Sequence, residues 1–304
     1  MSKKIKYSIE NALFSGVLFF CRVLPELWVV KFGQLLGRLF YYIGMRKSVV
    51  LKNLEIAFGE EKTAEERDAI CKKVYENLGI TMFEVLLLDR IPKEQFHNYF
   101  EIHGIDELKE AMKEGKGAVI AAGHFCNWEW MPTGLSATYQ PVYGYTGRHS
   151  NKTFQQKMDG MRQKFGVKTI AKSKQAFPLM TKVLSENSIV GLIGDLNVPG
   201  SDLFVDFFGK KAATGAGMAF LPLQSKAPIF FSWGVRVAPL RHKITLYRLD
   251  CKPSGDLRTD VENLTALILS ELEKVVRLYP EHYWWVHKRW KSRPPEEEGV
   301  NLYH

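Results

Sequence analysis

The sequence predicts an α/β fold: a central mixed β-sheet flanked by helices, with an N-terminal helical, membrane-associated extension. Three observations carry that prediction. Beyond about residue 100, short apolar runs alternate with amphipathic stretches, the pattern of strands layered with helices. Before about residue 90, apolar residues recur at helical spacing instead. The first thirty residues join a basic start to an apolar stretch. With 304 residues the chain can bury a substantial core. We divide it into a helical region at 1–90 and an α/β domain at 91–304.

Taken in order, Lys3, Lys4 and Lys6 precede the almost wholly apolar run 12–21. That run is about half of the ~20 residues a spanning helix needs. Arg22, Pro25 and Glu26 interrupt it before Leu27-Trp28-Val29-Val30 resumes. No small-residue cleavage site follows, which argues against a signal peptide. Helices lying in the membrane interface fit the pattern, with Lys3, Lys4, Lys6, Arg22, Lys31 and Arg38 near lipid head groups. A buried helical hairpin and a tilted single span stay open as alternatives. Further on, Thr63 and Glu66 have capping-box spacing, and Ile70, Val74, Leu78 and Met82 continue the helix behind them.

Pro92 marks a break. Strands are expected at 117–123, 141–146, 167–171, 188–194, 228–237 and 243–250. Helices are expected near 104–114, 127–138, 151–165, 174–186, 215–225 and 259–278. An aromatic, basic stretch from His282 to Arg293 closes the fold ahead of Pro294 and Pro295.

Forty-two Lys and Arg against 33 Asp and Glu give a formal charge of +9. Such an excess favours an anionic partner: a phospholipid surface, a phosphorylated substrate, an acidic carrier protein or nucleic acid. Cys21, Cys71, Cys126 and Cys251 are widely spaced with no CxxC pair, which argues against a zinc site and a disulfide framework. A reducing environment follows.

The chemistry concentrates in one stretch. The apolar run from Ala118 ends at Gly123 and presents His124, and Glu129 follows with four residues between them. A histidine at the C-terminal end of a strand, steadied by a carboxylate, can take a proton from a hydroxyl. Cys126 lies two residues away, but side chains so close at a strand end diverge, and a small packed residue is expected there. Gly194-Asp195 follows another apolar run, Arg148 follows a third, and Arg162 lies late in a helix. These are the places where an α/β enzyme keeps its site. Asp195 as a plain turn cap is the competing reading.

Together these segments resemble the lipid A late acyltransferases, lauroyl and myristoyl acyltransferases with a glycerolipid acyltransferase-like fold. The resemblance runs from about Arg46 to Arg293. It is carried by Gly123-His124-Phe125-Cys126-Asn127-Trp128-Glu129, Gly194-Asp195, Val205 to Gly209, Ala213-Thr214-Gly215 and Pro280 to Lys291. Related enzymes acylate other polar lipids, including mannosylated phosphatidylinositol. The resemblance implies transfer of a fatty acyl group from a thioester, on acyl carrier protein or coenzyme A as co-substrate, to a hydroxyl of a lipid A precursor at the cytoplasmic face of a bacterial inner membrane. It implies His124 as general base and Glu129 as its orienting partner, with Arg162 and Asp195 completing the site. Arg162, or a backbone N–H near Gly123, would stabilise the oxyanion. Arg148, Asn127, Lys210, Lys211 and the basic tail would meet substrate phosphates and polar groups. No cofactor or metal is implied. The chain departs from the pattern at Cys126, where many relatives carry a small residue such as Gly, and at Leu196-Asn197-Val198-Pro199 in place of a Gln-containing version.

Two other functions fit some of these residues. A lipid esterase could use the same dyad with water, but no Gly-x-Ser-x-Gly elbow occurs. A basic module could bind membrane or nucleic acid without catalysis, its Trp-rich tail stacking on bases. We expect no nucleic-acid partner; the Trp residues should pack on the core, with Lys288 and Arg289 near lipid phosphate.

Overall fold

The computed structural model describes residues 3–303. Four helices come first: α1 (Lys3–Val23), α2 (Glu26–Ile43), α3 (Lys47–Phe58) and α4 (Ala64–Leu87). Helix α4 opens on the expected capping box. Thr63 Oγ1 accepts the Glu66 N–H, and the Glu66 carboxylate accepts the Thr63 N–H. Helices α2 and α4 touch through their backbones, because a Cβ on Gly37 would sit 2.1 Å from Tyr75 O.

The rest alternates strand and helix. In order come β1 (Phe100–His103), α5 (Ile105–Met112), β2 (Ala118–Ala122), α6 (Trp130–Thr138), β3 (Val142–Thr146), α7 (Lys152–Lys164), β4 (Lys168–Ala171), α8 (Ala176–Ser185) and β5 (Ile189–Ile193). Then follow β6 (Phe204–Phe207), β7 (Lys210–Ala213), α9 (Gly217–Ser225), β8 (Ile229–Ala238), β9 (Arg241–Arg248) and α10 (Leu257–Leu278). All six expected strands and all six expected helices form. Strand β1 and the β6–β7 hairpin are additions; their four-residue segments are too short to show a period.

Seven strands make one mixed sheet in the order β1-β9-β8-β2-β5-β3-β4. Five run parallel from β8 to β4, and β8 and β9 pair antiparallel. Both faces are covered, which is why β2 is buried at every position. The alternation of strand side chains divides them between two cores. Val119 and Ala121 join residues of α8, α9 and α10, whereas Ala118 and Ile120 join α5 and Leu135 of α6.

Helices α1 and α2 are different in kind. Leu13, Phe19, Leu27, Trp28, Leu35, Leu39, Tyr42 and Ile43 are each more than half exposed. Among the described residues no helix is long and apolar enough to cross a membrane.

Candidate active site

Strands β2 and β5 are parallel neighbours paired up to Ala122 and Ile193. His124 and Asp195 each lie two residues beyond that pair, so the register sets them opposite each other at the carboxyl edge of the sheet. Two glycines let the strands end there. A Cβ on Gly123 would come within 2.6 Å of the Leu272 side chain, and one on Gly194 within 2.9 Å of Met218.

The geometry at that edge is specific. His124 Nδ1 donates to Asp195 Oδ1 at 2.7 Å, and the His124 main-chain N–H donates to Oδ2 at 3.0 Å. With the proton held at Nδ1, the neutral ring presents Nε2 as a base. Nε2 has no partner among the described residues, and the ring side chain is 22% exposed while Asp195 is wholly buried. Burial alone would lower the His124 pKa, but the Asp195 charge reverses this and Glu129 adds to it, so the pKa is raised. Burial would likewise raise the Asp195 pKa; the paired imidazole and, farther off, Arg289 hold it low.

One expectation is corrected here. Asp195, not Glu129, orients His124. Glu129 sits at the head of α6 and faces α7, where it accepts two bonds from Arg162. These run from Nε to Oε2 at 2.8 Å and from Nη2 to Oε1 at 2.7 Å. Arg162 Nη1 donates to Asp159 at 3.1 Å. Bracketed by two carboxylates, the guanidinium uses one N–H at each nitrogen, and it lines the cavity beside the site. Nearness in sequence misled, since cross-strand register outranks a five-residue separation in deciding contact.

Asn127 is likewise corrected. It is buried, its amide donates to Glu84 Oε2 at 2.9 Å, and its carbonyl caps the Trp130 N–H. Arg148 is exposed in the loop after β3. Lys210 and Lys211 lie on the exposed part of β7, with Lys211 paired to Asp206, and neither lines the cavity beside the site. In the tail, Trp285 and Trp290 pack into the core as expected. Arg289, however, is buried and donates to Ala213 O and Thr214 Oγ1, so it is not at the surface for lipid phosphate.

Cys126 points away from His124. Its Sγ lies 3.8 Å from Nδ1 of the buried His242, and its backbone holds a left-handed φ of 51°. His242 belongs to a sealed cluster the sequence reading missed. Arg236 forks onto both oxygens of Glu84 at 2.8 and 2.7 Å, and His242 Nε2 donates to Oε1 at 3.2 Å. The signal was there, in a glutamate on an apolar helix face and an arginine within an apolar strand. Among the described residues, no group of three or more His, Cys, Asp or Glu is placed to hold a metal ion.

Beside the site a mostly apolar cavity runs back along the sheet. Trp128, Glu129, Arg162 and Thr146 stand at the end nearest the strand edge. Ile120, Val142 and Leu135 stand deeper. The rings of Trp128 and His124 meet edge to face, 5.6 Å between centroids.

A base at the strand edge beside an apolar cavity is found here on a chain whose residues 2–292 match the bacterial lipid A biosynthesis acyltransferase family. The chain belongs to that family. It is therefore an acyltransferase. The lipid A biosynthesis palmitoleoyltransferase of Escherichia coli K12 is 25% identical over 303 residues, covering 94% of this chain and 92% of that one. The lauroyltransferase of the same strain is 25% identical over 294 residues, with 94% and 91% covered. A phosphatidylinositol mannoside acyltransferase of Mycolicibacterium smegmatis is 24% identical over 213 residues, 66% of each chain.

In the acyltransferase the segment from Pro280 to Lys291 braces the His124 loop. Trp284 N–H donates to His124 O at 3.1 Å and Cys126 N–H to His282 O at 2.8 Å, fastening the tail along the loop. Asn53 of α3 in turn donates to Trp285 O and His287 O at 2.6 and 2.7 Å. Tyr283 lies wholly buried beneath the pair, where burial and the charge of Asp195 push its phenol well above the usual range.

Proposed function

We propose that the protein moves a fatty acyl group from a thioester, on acyl carrier protein or coenzyme A, to a hydroxyl of a lipid A precursor. The observation that supports this best is the unpartnered Nε2 of His124 beside an apolar cavity. The acceptor hydroxyl gives its proton to Nε2 as its oxygen attacks the thioester carbonyl. Asp195 keeps the ring in the reactive tautomer and stabilises the imidazolium that forms, as a carboxylate does in a catalytic triad. The proton then passes to the leaving thiolate, which completes the transfer without a covalent acyl-enzyme. A base so placed contributes roughly 10²–10⁴-fold. Glu129 and Arg162 act as a rigid pair at the cavity mouth, and the acyl chain of the donor lies in the cavity beyond them.

The exposed apolar faces of α1 and α2 would rest on the cytoplasmic leaflet of the inner membrane, their lysines and arginines at the anionic head groups. That placement brings a lipid acceptor to the enzyme without extracting it into water. The test is direct. Purified protein, an acyl carrier protein thioester and a lipid A precursor in mixed vesicles should yield a lipid heavier by one acyl group in mass spectra. Release of free fatty acid with no heavier lipid would replace this reading by hydrolysis.

A further inference from the structure

One row of the cavity floor is almost bare. Strand register sets Ile120 beside Gly191, Gly191 beside Gly144, and Gly144 beside Thr169. All four line the cavity. Two adjacent glycines therefore remove the side chains from the middle of the floor, across β5 and β3. The rows on either side are filled, by Ala122, Ile193 and Thr146 toward the site and by Val142 on the inner side.

Glycine inside a strand costs stability and often marks close approach of a ligand. Neither residue has a positive φ, so no backbone requirement explains them. The two differ in what surrounds them. A Cβ on Gly191 would sit 3.3 Å from Val142 Cγ1, so packing already limits that position. A Cβ on Gly144 would meet nothing within 4 Å, so its missing side chain opens onto empty space. From the row of Ala122 to the inner row of Val142 is four residues of strand, about 13 Å. The glycine row lies halfway.

We propose that Gly144, with Gly191 beside it, sets the length of acyl chain the enzyme accepts, by leaving the floor low enough for a long straight chain to pass. This rests on the acyl-transfer reading above. A side chain at position 144 would fill the corridor halfway along and stop a long chain, while a short chain would end before reaching it.

The test is a graded series, Gly144→Ala, Gly144→Val and Gly144→Leu, assayed with saturated acyl thioesters of increasing length. The expected result is a stepwise fall in the ratio of kcat/KM for long over short donors. Adding or removing a methylene in an apolar pocket changes discrimination roughly 10–200-fold, so the ratio should fall at least ~10-fold by Val. Thermal stabilisation of each variant by the same thioesters should lose its long-chain preference in parallel, a readout independent of turnover. A folded Gly144→Leu enzyme with an unchanged length profile would overturn the proposal. So would a uniform loss across all lengths, which would make Gly144 structural. Where Leu prevents folding, the Ala and Val steps decide by the same criterion. Wild-type protein that transfers no chain of any length would sink the acyl-transfer reading and this proposal with it, whereas an active wild type with an indifferent series sinks this proposal alone.

Discussion

Two of the protein's histidine–carboxylate pairs, His124–Asp195 and His242–Glu84, differ in what surrounds them. His124 and Asp195 stand at the carboxyl edge of the sheet with one ring nitrogen open. His242 and Glu84 lie buried, with Arg236 beside them at 7% side-chain exposure and Glu84 at none. In the first pair a proton can come and go. In the second, each donor and acceptor is engaged: Glu84 receives Arg236, Asn127 and His242, and its main-chain carbonyl accepts Trp130 Nε1–H. The pair proposed to act on substrate keeps an unused ring nitrogen, whereas the buried pair has its hydrogen-bonding atoms taken up inside the protein. The two are also joined, since Asn127, held by Glu84, lies three residues beyond His124.

The comparison can be tested from its strongest consequence downward. Asp195→Asn should keep the fold and cut turnover by about 10³–10⁴-fold, the scale of losing the orienting carboxylate in a triad. The same change removes the negative charge that raises the His124 pKa. The acidic limb of the kcat/KM profile should therefore lie above the ordinary imidazole range in the wild type and move to lower pH in the variant. An acidic limb that stays in place would separate Asp195 from the imidazole.

The sealed pair should answer in stability. Arg236→Ala leaves Glu84 buried without its counter-ion and should cost about 3–5 kcal/mol in denaturant unfolding. A loss under 1 kcal/mol would mean that water reaches the site. Replacing Arg236 and Glu84 together by apolar residues of similar size should cost less than Arg236→Ala alone.

His242 gives a subtler signature. Burial would lower its pKa, but Glu84, with Cys126, raises it to about 9. Its unfolded value is near 6.5. A raised pKa contributes stability that is fully present below about pH 6.5 and is lost as pH climbs through about 9. Melting temperature should fall over that window in the wild type and fall less in His242→Asn. Equal slopes would remove His242 from the account.

The smallest effect belongs to Cys126. Burial would raise its thiol pKa, but His242 and His282 lower it to about 5. Despite that reactive character it faces the sealed cluster. Cys126→Ala should keep turnover within a few-fold, and Cys126→Gly, which suits the left-handed φ, should be no less stable than the alanine variant. A loss as deep as that of His124→Ala would restore the thiol as a nucleophile.

Much of this was legible in the chain. The strands that carry His124 and Asp195 announce themselves as apolar runs ending in glycine, and the helix of Ile70, Val74 and Leu78 shows its cap and its period. Strand β1 and the β6–β7 hairpin did not, because four residues cannot establish an alternation. The pairing of the site residues was misjudged for a different reason. Glu129 is near His124 in sequence, while Asp195 is 71 residues away. Only the insertion of β5 next to β2, after the chain has gone out to β4 and come back, brings Asp195 to the ring.

By itself, the sequence determined the α/β layering, the chemistry of the His124 segment and the family to which the chain belongs, because these depend on local pattern and on motif order. The tertiary structure decided which carboxylate serves which cation. Strand order and register are long-range outcomes of packing, and a hydrogen bond follows position in space rather than separation along the chain.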